Sequence, residues 1–178
     1  MIKKIFLIPI LAIFLFGCET MSLSDQTSSP AELRVATYLF ATDINKFIAA
    51  LPQDAVSDKK IQVVEVIDDN GVGLYGVYRP KDVLGKANLH HIATTETYYI
   101  LKGHGTLVTG GIIPDGVLTP PNNITIKGAS IEGGVSRKVG PGDVVIIPGY
   151  TAHWWSELDE DLSYISFRTG PYNKIEIH

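Results

Sequence analysis

The chain has 178 residues, 45% of them hydrophobic, and a formal charge of −4. That is enough apolar material for one buried core and too little chain for two. The mildly acidic balance, with no cluster of lysine or arginine, lacks the electrostatic footprint of a nucleic-acid binder or of a basic surface for anionic lipid, and a single cysteine excludes an internal disulfide framework.

Lys3 and Lys4 precede an apolar run over residues 5–16, which closes on Leu15-Phe16-Gly17-Cys18. The run is shorter than the ~20 residues a membrane-spanning helix needs, whereas a basic start, a short apolar centre and a small residue before the cut describe an export signal. The box resembles that of bacterial lipoproteins. The resemblance implies that residues 1–17 are a signal peptide and that Cys18 is acylated to become the mature N-terminus. Glu19 is not the aspartate associated with inner-membrane retention, so the expected location is the outer membrane, facing the periplasm. Residues 18–30 are polar and rich in serine and threonine, too poor in apolar groups to offset the entropy of ordering, and read as a flexible tether.

Residues 31–55 read as a helical extension. Thr42 or Asp43 is placed to cap a helix whose Ile44, Phe47, Ile48 and Leu51 share one face, and Pro52 ends it. From there to residue 178 the pattern is all-β: short β-branched and aromatic runs divided by glycine, proline and Asp/Asn turns. Strands are expected at 61–67, 73–78, 96–101, 106–109, 136–139, 143–147 and 162–168. Asp69-Asn70-Gly71 is a hairpin signal, Gly140-Pro141-Gly142-Asp143 a second tight turn, and the Gly/Pro/Asn-rich stretch 110–134 reads as a long loop or lid.

Only five histidines occur: His90, His91, His104, His153 and His178. Three of them fall in two frames. Residues 85–103 carry Gly85, His90-His91, Glu96 and Gly103; residues 142–153 carry Gly142, Pro148 and His153. These frames resemble the two motifs of the cupin family, which implies a jelly-roll barrel over residues 56–178 and one divalent metal ion inside it. The first family motif spaces its two histidines by one residue, and here they are adjacent. One register makes His91 a ligand and replaces the other histidine by Leu89; the alternative makes His90 the ligand and replaces its partner by Ile92. An unbroken strand would put His90 and Glu96 on one face, while His91 needs a turn or bulge before Glu96, and the cupin frame supplies such a break. Geometry alone leaves both registers open; the sequence also resembles single-domain cupins that keep one histidine four residues before this glutamate, and that resemblance implies the preferred set His91, Glu96 and His153, with His90 as the alternative. Two imidazoles and a carboxylate suit Fe, Mn, Zn, Ni or Co and leave positions open for water and substrate. The competing reading is a metal-free barrel whose histidines only hydrogen-bond.

On the run Leu162-Ser-Tyr-Ile-Ser-Phe-Arg168, Tyr164, Ser166 and Arg168 alternate with Ile165 and Phe167, so one face is polar. Inside a barrel that face would line a pocket, with Tyr98 as a further wall and Arg168 able to grip a substrate carboxylate by two hydrogen bonds; an outward-facing arginine is the competing reading. One of Trp154 and Trp155 should pack in the barrel, and His104, between two glycines, should face solvent. Asn123-Ile124-Thr125 matches a glycosylation acceptor and carries no meaning in a bacterial lipoprotein. The resemblance points to a metal-dependent enzyme acting on a small oxygenated molecule, of dioxygenase or isomerase type. The alternative is a non-catalytic lipoprotein that binds or senses a small molecule, and cupins' habit of pairing through edge strands allows a homodimer. Changing Cys18 to Ser should shift the protein from the membrane to the soluble fraction or leave its precursor uncut; wild-type protein without lipid by intact mass would refute the anchor.

Overall fold

The computed structural model describes residues 35–67, 69–119 and 125–175. The signal peptide, the tether and Cys18, together with Asn123, Ile124 and His178, lie outside the described residues. The secondary structure belongs to one unit, Thr37–His178. Among the described residues no helix is long and apolar enough to cross a membrane.

The expected helix forms as α1 (Ala41–Ala49), with Ile48 and Leu51 buried and Ile44 and Phe47 half-buried. Its start differs from expectation. Phe40, in extended backbone and without a side-chain hydrogen bond, is the N-cap, and its carbonyl already accepts from the Asp43 and Ile44 N–H groups at 3.0 and 3.1 Å. Asp43 thus sits inside the first turn, where its charge favours the helix dipole without capping.

The strands, in chain order, are β1 (Ser57–Ile67), β2 (Asn70–Arg79), β3 (Ala87–His90), β4 (Thr95–Lys102), β5 (Gly105–Thr109), β6 (Val117–Leu118), β7 (Thr125–Gly128), β8 (Val135–Val139), β9 (Val144–Ile147), β10 (His153–Leu158) and β11 (Leu162–Pro171), followed by α2 (Tyr172–Ile175). Every expected strand is present. Four were not expected: β3, β6, β7 and β10. The stretch 110–134 is therefore not simply a loop, since β6 and β7 lie in it and Ile112 bridges Glu132. Its glycines and prolines mask strands too short to show a period, and β7 owes its form to pairing with β3.

Pairing defines the architecture. β2 pairs with β11, β3 with β10, β4 with β9 and β5 with β8, all antiparallel. From β2 inward each strand pairs with its mirror in the sequence, down to β6 with β7, while β1 adds to the edge beside β2; this is one long hairpin rolled up into two facing sheets: a jelly roll. One sheet runs β1-β2-β11-β4-β9 and the other β6-β7-β3-β10-β5-β8. This is the all-β barrel that the cupin resemblance implied. Between the sheets, Val77, Tyr98, Ile100, Leu162 and Tyr164 of the first meet Leu107, Trp155 and Leu158 of the second. α1 covers the other face of the first sheet, where a Cβ on Gly76 would lie within 3 Å of Ile48 and Phe47.

The turn between β4 and β5 packs against the one between β10 and β11. Gly103 has φ +84°, and a Cβ there would lie 2.3 Å from the Asp161 carbonyl. Gly133 also has positive φ (+69°) but open space around it. Gly103→Ala should cost on the order of 2–4 kcal/mol in urea unfolding, by strain plus clash, and Gly133→Ala only about 1 kcal/mol. Equal costs would refute the close approach.

Candidate metal centre

Strand parity and two turns bring the centre together. On β4, Glu96, Tyr98 and Ile100 are buried and Tyr99 is exposed, so Glu96 points into the barrel with the core. Across the barrel, His153 opens β10 directly opposite Asn88 of β3, and His90 lies two residues beyond Asn88 on the same face. β3 ends at His90. A turn closed by the Thr94 N–H on the His91 carbonyl (2.9 Å) then carries the chain to β4 in the other sheet. The turn before β10 docks on this one: the Tyr150 N–H donates to the His90 carbonyl at 3.2 Å, and a Cβ on Gly149 would lie 2.0 Å from the Ile92 carbonyl.

His90 Nε2 lies 3.2 Å and His153 Nε2 3.1 Å from Glu96 Oε2. The ligating atoms of the three buried residues fall within 4.8 Å of one another. With metal–ligand bonds of about 2.0–2.2 Å, ligands at right angles lie about 3 Å apart, which is the spacing found here. The protonation pattern fits as well. His153 Nδ1 is 3.0 Å from the Thr151 carbonyl, which can only accept, so Nδ1 carries a proton and, in the neutral ring, Nε2 is the bare nitrogen. That nitrogen is buried and, among the described residues, has no hydrogen-bond partner. A bare nitrogen facing a carboxylate oxygen sets lone pair against lone pair unless a cation sits between them. Thr125 Oγ1, 3.0 Å from His90 Nδ1, can accept a hydrogen bond from that nitrogen and hold His90 in the same tautomer.

Glu96 is prepared from behind. Its Oε1 accepts from Arg168 Nε at 2.7 Å and from Ser166 Oγ at 3.1 Å, leaving Oε2 for the histidines and the Tyr98 hydroxyl at 3.0 Å. Burial by itself would push the Glu96 carboxyl up, yet it lies well below the usual carboxylate range, because His90, Arg168 and the close imidazole contacts favour its charged form. Burial pulls His90 below its usual range despite the Glu96 charge, so Arg168 is the permanent cation of the group. Burial and the Glu96 charge hold the Tyr98 phenol well above its usual range, so it keeps its proton and donates. Arg168 also donates to Asp58 and stacks on Tyr75 with its Cζ 3.9 Å from the ring centroid.

The structure therefore brings together His153, Glu96 and His90, and corrects the preferred register: His91 is not in the group. It follows the end of β3, its Nδ1 accepts from the Ala93 N–H at 3.2 Å, and it borders an apolar groove with Leu89, Ile92 and Tyr150. The physical reason is that the break expected between the second histidine and Glu96 falls after His90. Arg168 does face inward, but it grips carboxylates of the protein itself, Glu96 and Asp58. Ser166 is buried behind Glu96 and does not line the cavity, whereas Tyr98 and Tyr164 do. Trp155 is in the core, and His104 sits exposed beside Glu160. The sequence reading missed Asp58, Arg79, Asn88 and Lys127, all of which border the cavity. Arg79 was within reach: it continues the inward parity of Tyr75 and Val77 on β2.

No protein-family model matches the chain, and no curated protein matches it in sequence. Several solved structures are similar. The DMSP lyase DddQ from Ruegeria pomeroyi DSS-3 is 20% identical, with a TM-score of 0.49 over 79% of this chain and 68% of that one. An uncharacterized conserved protein with a double-stranded beta-helix domain from Klebsiella pneumoniae is 12% identical, with a TM-score of 0.47 over 80% of this chain and 94% of the other. A cupin domain from Bordetella pertussis is 12% identical, with a TM-score of 0.38 over 65% and 93%. The fold assignment stands on the strand pairing itself.

Deleting one of three ligands removes most of the affinity of such a site, while an outward neighbour matters little. His90→Ala and His153→Ala should each lose bound metal, and His91→Ala and His104→Ala should retain it, measured as metal per chain after identical purification. Retention in His90→Ala with loss in His91→Ala would restore the other register.

Proposed function

We propose that this chain is a metal-dependent enzyme acting on a small oxygenated molecule, of dioxygenase or isomerase type. The observation that carries the proposal is the convergence of the buried Nε2 atoms of His153 and His90 on one Glu96 carboxylate oxygen, at the edge of a cavity. His90, Glu96 and His153 would hold one divalent ion: Fe, Mn, Zn, Ni or Co. Such an ion, bound by three protein ligands, supplies a Lewis acid that polarises a substrate oxygen or, if iron, a centre for dioxygen.

The chain's own residues do the remaining work. Arg168 and Ser166 fix the Glu96 carboxylate so that one oxygen faces inward, Thr151 and Thr125 orient the two rings, and Tyr98 holds its proton on Glu96 Oε2. The cavity is about 260 Å³, walled by the rings of Tyr98 and Tyr164 and by Val56. That is below the roughly 300–1,000 Å³ of pockets for drug-sized ligands, and fits a small metabolite.

A second reading has its own support. Among the described residues, the carboxylate that borders the cavity apart from Glu96 is Asp58, which is committed to Arg168, and no histidine borders it besides His90 and His153. A site whose carboxylates are committed in this way suits a non-catalytic binding or sensing protein. In either case the barrel is proposed to be exported and lipid-anchored through Cys18 on the outer membrane, facing the periplasm, a reading that rests on the lipoprotein box alone. The deciding experiment is metal analysis of protein purified without chelators. One ion per chain is expected, iron favouring the oxygenase form and zinc or nickel the isomerase form. Protein that holds none and takes up none of the five metals would refute the proposal, and saturable ligand binding without turnover would favour the second reading.

A further inference from the structure

The cavity beside the centre carries positive charge that the centre does not use. Arg79, at the end of β2, is only 8% exposed, and its Nε donates to the Tyr164 hydroxyl at 3.1 Å. Among the described residues no carboxylate lies within ion-pair distance of it. A guanidinium offers five N–H donors in a planar fork, so one phenol oxygen leaves most of that capacity without a strong acceptor. Burying a cation in this condition is costly; the Tyr164 ring 5.9 Å from its Cζ offsets part of that cost, and an arriving anion would offset more.

Lys86 and Lys127 border the same cavity, and among the described residues neither has a carboxylate within ion-pair distance. Lys127 lies opposite Asn88 on β7, so it enters from the histidine sheet, whereas Arg79 belongs to the carboxylate sheet. Among the described residues, four cationic side chains and two carboxylates border the cavity, and Arg168 engages both carboxylates. Arg79, Lys86 and Lys127 remain as surplus. A divalent ion on Glu96 would increase the positive charge further.

We propose that the molecule bound in this cavity carries an anionic oxygen group, a carboxylate or a phosphate, which Arg79 and Lys127 hold while its other end reaches the metal centre. A guanidinium fork meets two oxygens of either group at once, and the lysine adds a point charge. The substrate class of the proposed enzyme narrows accordingly, from any small oxygenated molecule to small oxyanions.

The inference rests on the metal-centre reading only for the position of the far end, and the two fail separately. Full-length protein, metal-loaded and metal-free, is titrated by calorimetry with malonate, with uncharged malonamide of similar shape, and with inorganic phosphate. An anion should bind, malonamide should bind about tenfold more weakly or not at all, and Arg79→Gln should weaken the anion about tenfold or more at unchanged metal content. The tighter of malonate and phosphate identifies the group. Malonamide binding as well as malonate, no anion binding, or unchanged anion affinity in Arg79→Gln overturns the proposal. Lys127 is only half-buried, so Lys127→Met carries the same test if Arg79→Gln does not fold: weakened anion binding upholds the proposal and unchanged affinity overturns it. Should the protein take up no metal, the metal reading falls, and the metal-free titrations still decide: Arg79-dependent anion binding upholds the inference and its absence overturns it.

Discussion

The ion pair between Arg168 and Glu96 is the constraint on which the rest of the site depends. Both side chains are buried, at 3% and 2% exposure, and a carboxylate so placed is costly unless it is paired and hydrogen-bonded. Arg168 meets that need and also chooses the direction, because it and Ser166 occupy one oxygen and leave the other to the histidines. The support extends sideways through four adjacent strands: Asp58 on β1, Tyr75 on β2, Arg168 on β11 and Glu96 on β4. A ligand carboxylate backed this way has little freedom to rotate, which is how a site keeps its geometry before anything binds.

The two sheets contribute different chemistry. The sheet that contains β4 and β11 supplies the carboxylate and its cationic backing, and the sheet that contains β3 and β10 supplies both imidazoles. An ion bound by all three would link the sheets at one edge of the barrel, while the aromatic core of Tyr98, Trp155 and Tyr164 holds them deeper in, with ring centroids 4.5–6.5 Å apart. Binding that requires both sheets in place stabilises the folded form over the unfolded one.

Much of the fold was legible because its signals are local. Turn residues at 69–71 and 140–143 and β-branched runs such as Val144-Val-Ile-Ile147 declare themselves without reference to anything distant. β3 and β10 did not, because Ala-Asn-Leu-His and His-Trp-Trp-Ser-Glu-Leu owe their strand form to partners far away in sequence. The same limit governed the histidines. His153 and Glu96 stand at motif positions that a resemblance locates, but the choice between His90 and His91 depends on where β3 stops, and that is decided by its pairing with β7 and by the Gly149–Tyr150 turn docking on it. The alternation on β11 does place Tyr164, Ser166 and Arg168 together on one buried face. Its meaning changed once the partner of Arg168 was visible, since a guanidinium shows its charge in the sequence and not its counterion.

Rolling one long hairpin into a barrel has a consequence for when the centre can exist. Glu96 and His90 are near in sequence, but His153 is 57 residues beyond Glu96 and reaches it only when β10 has found β3, one of the distant pairings that this topology closes against loop entropy. An unfolded chain therefore offers a metal at most a weak, two-pronged grip. An ion held there would be chosen by whatever pool surrounds the chain at the moment the barrel closes, so the cellular address at which the protein folds, as much as its ligand set, would decide which element it carries.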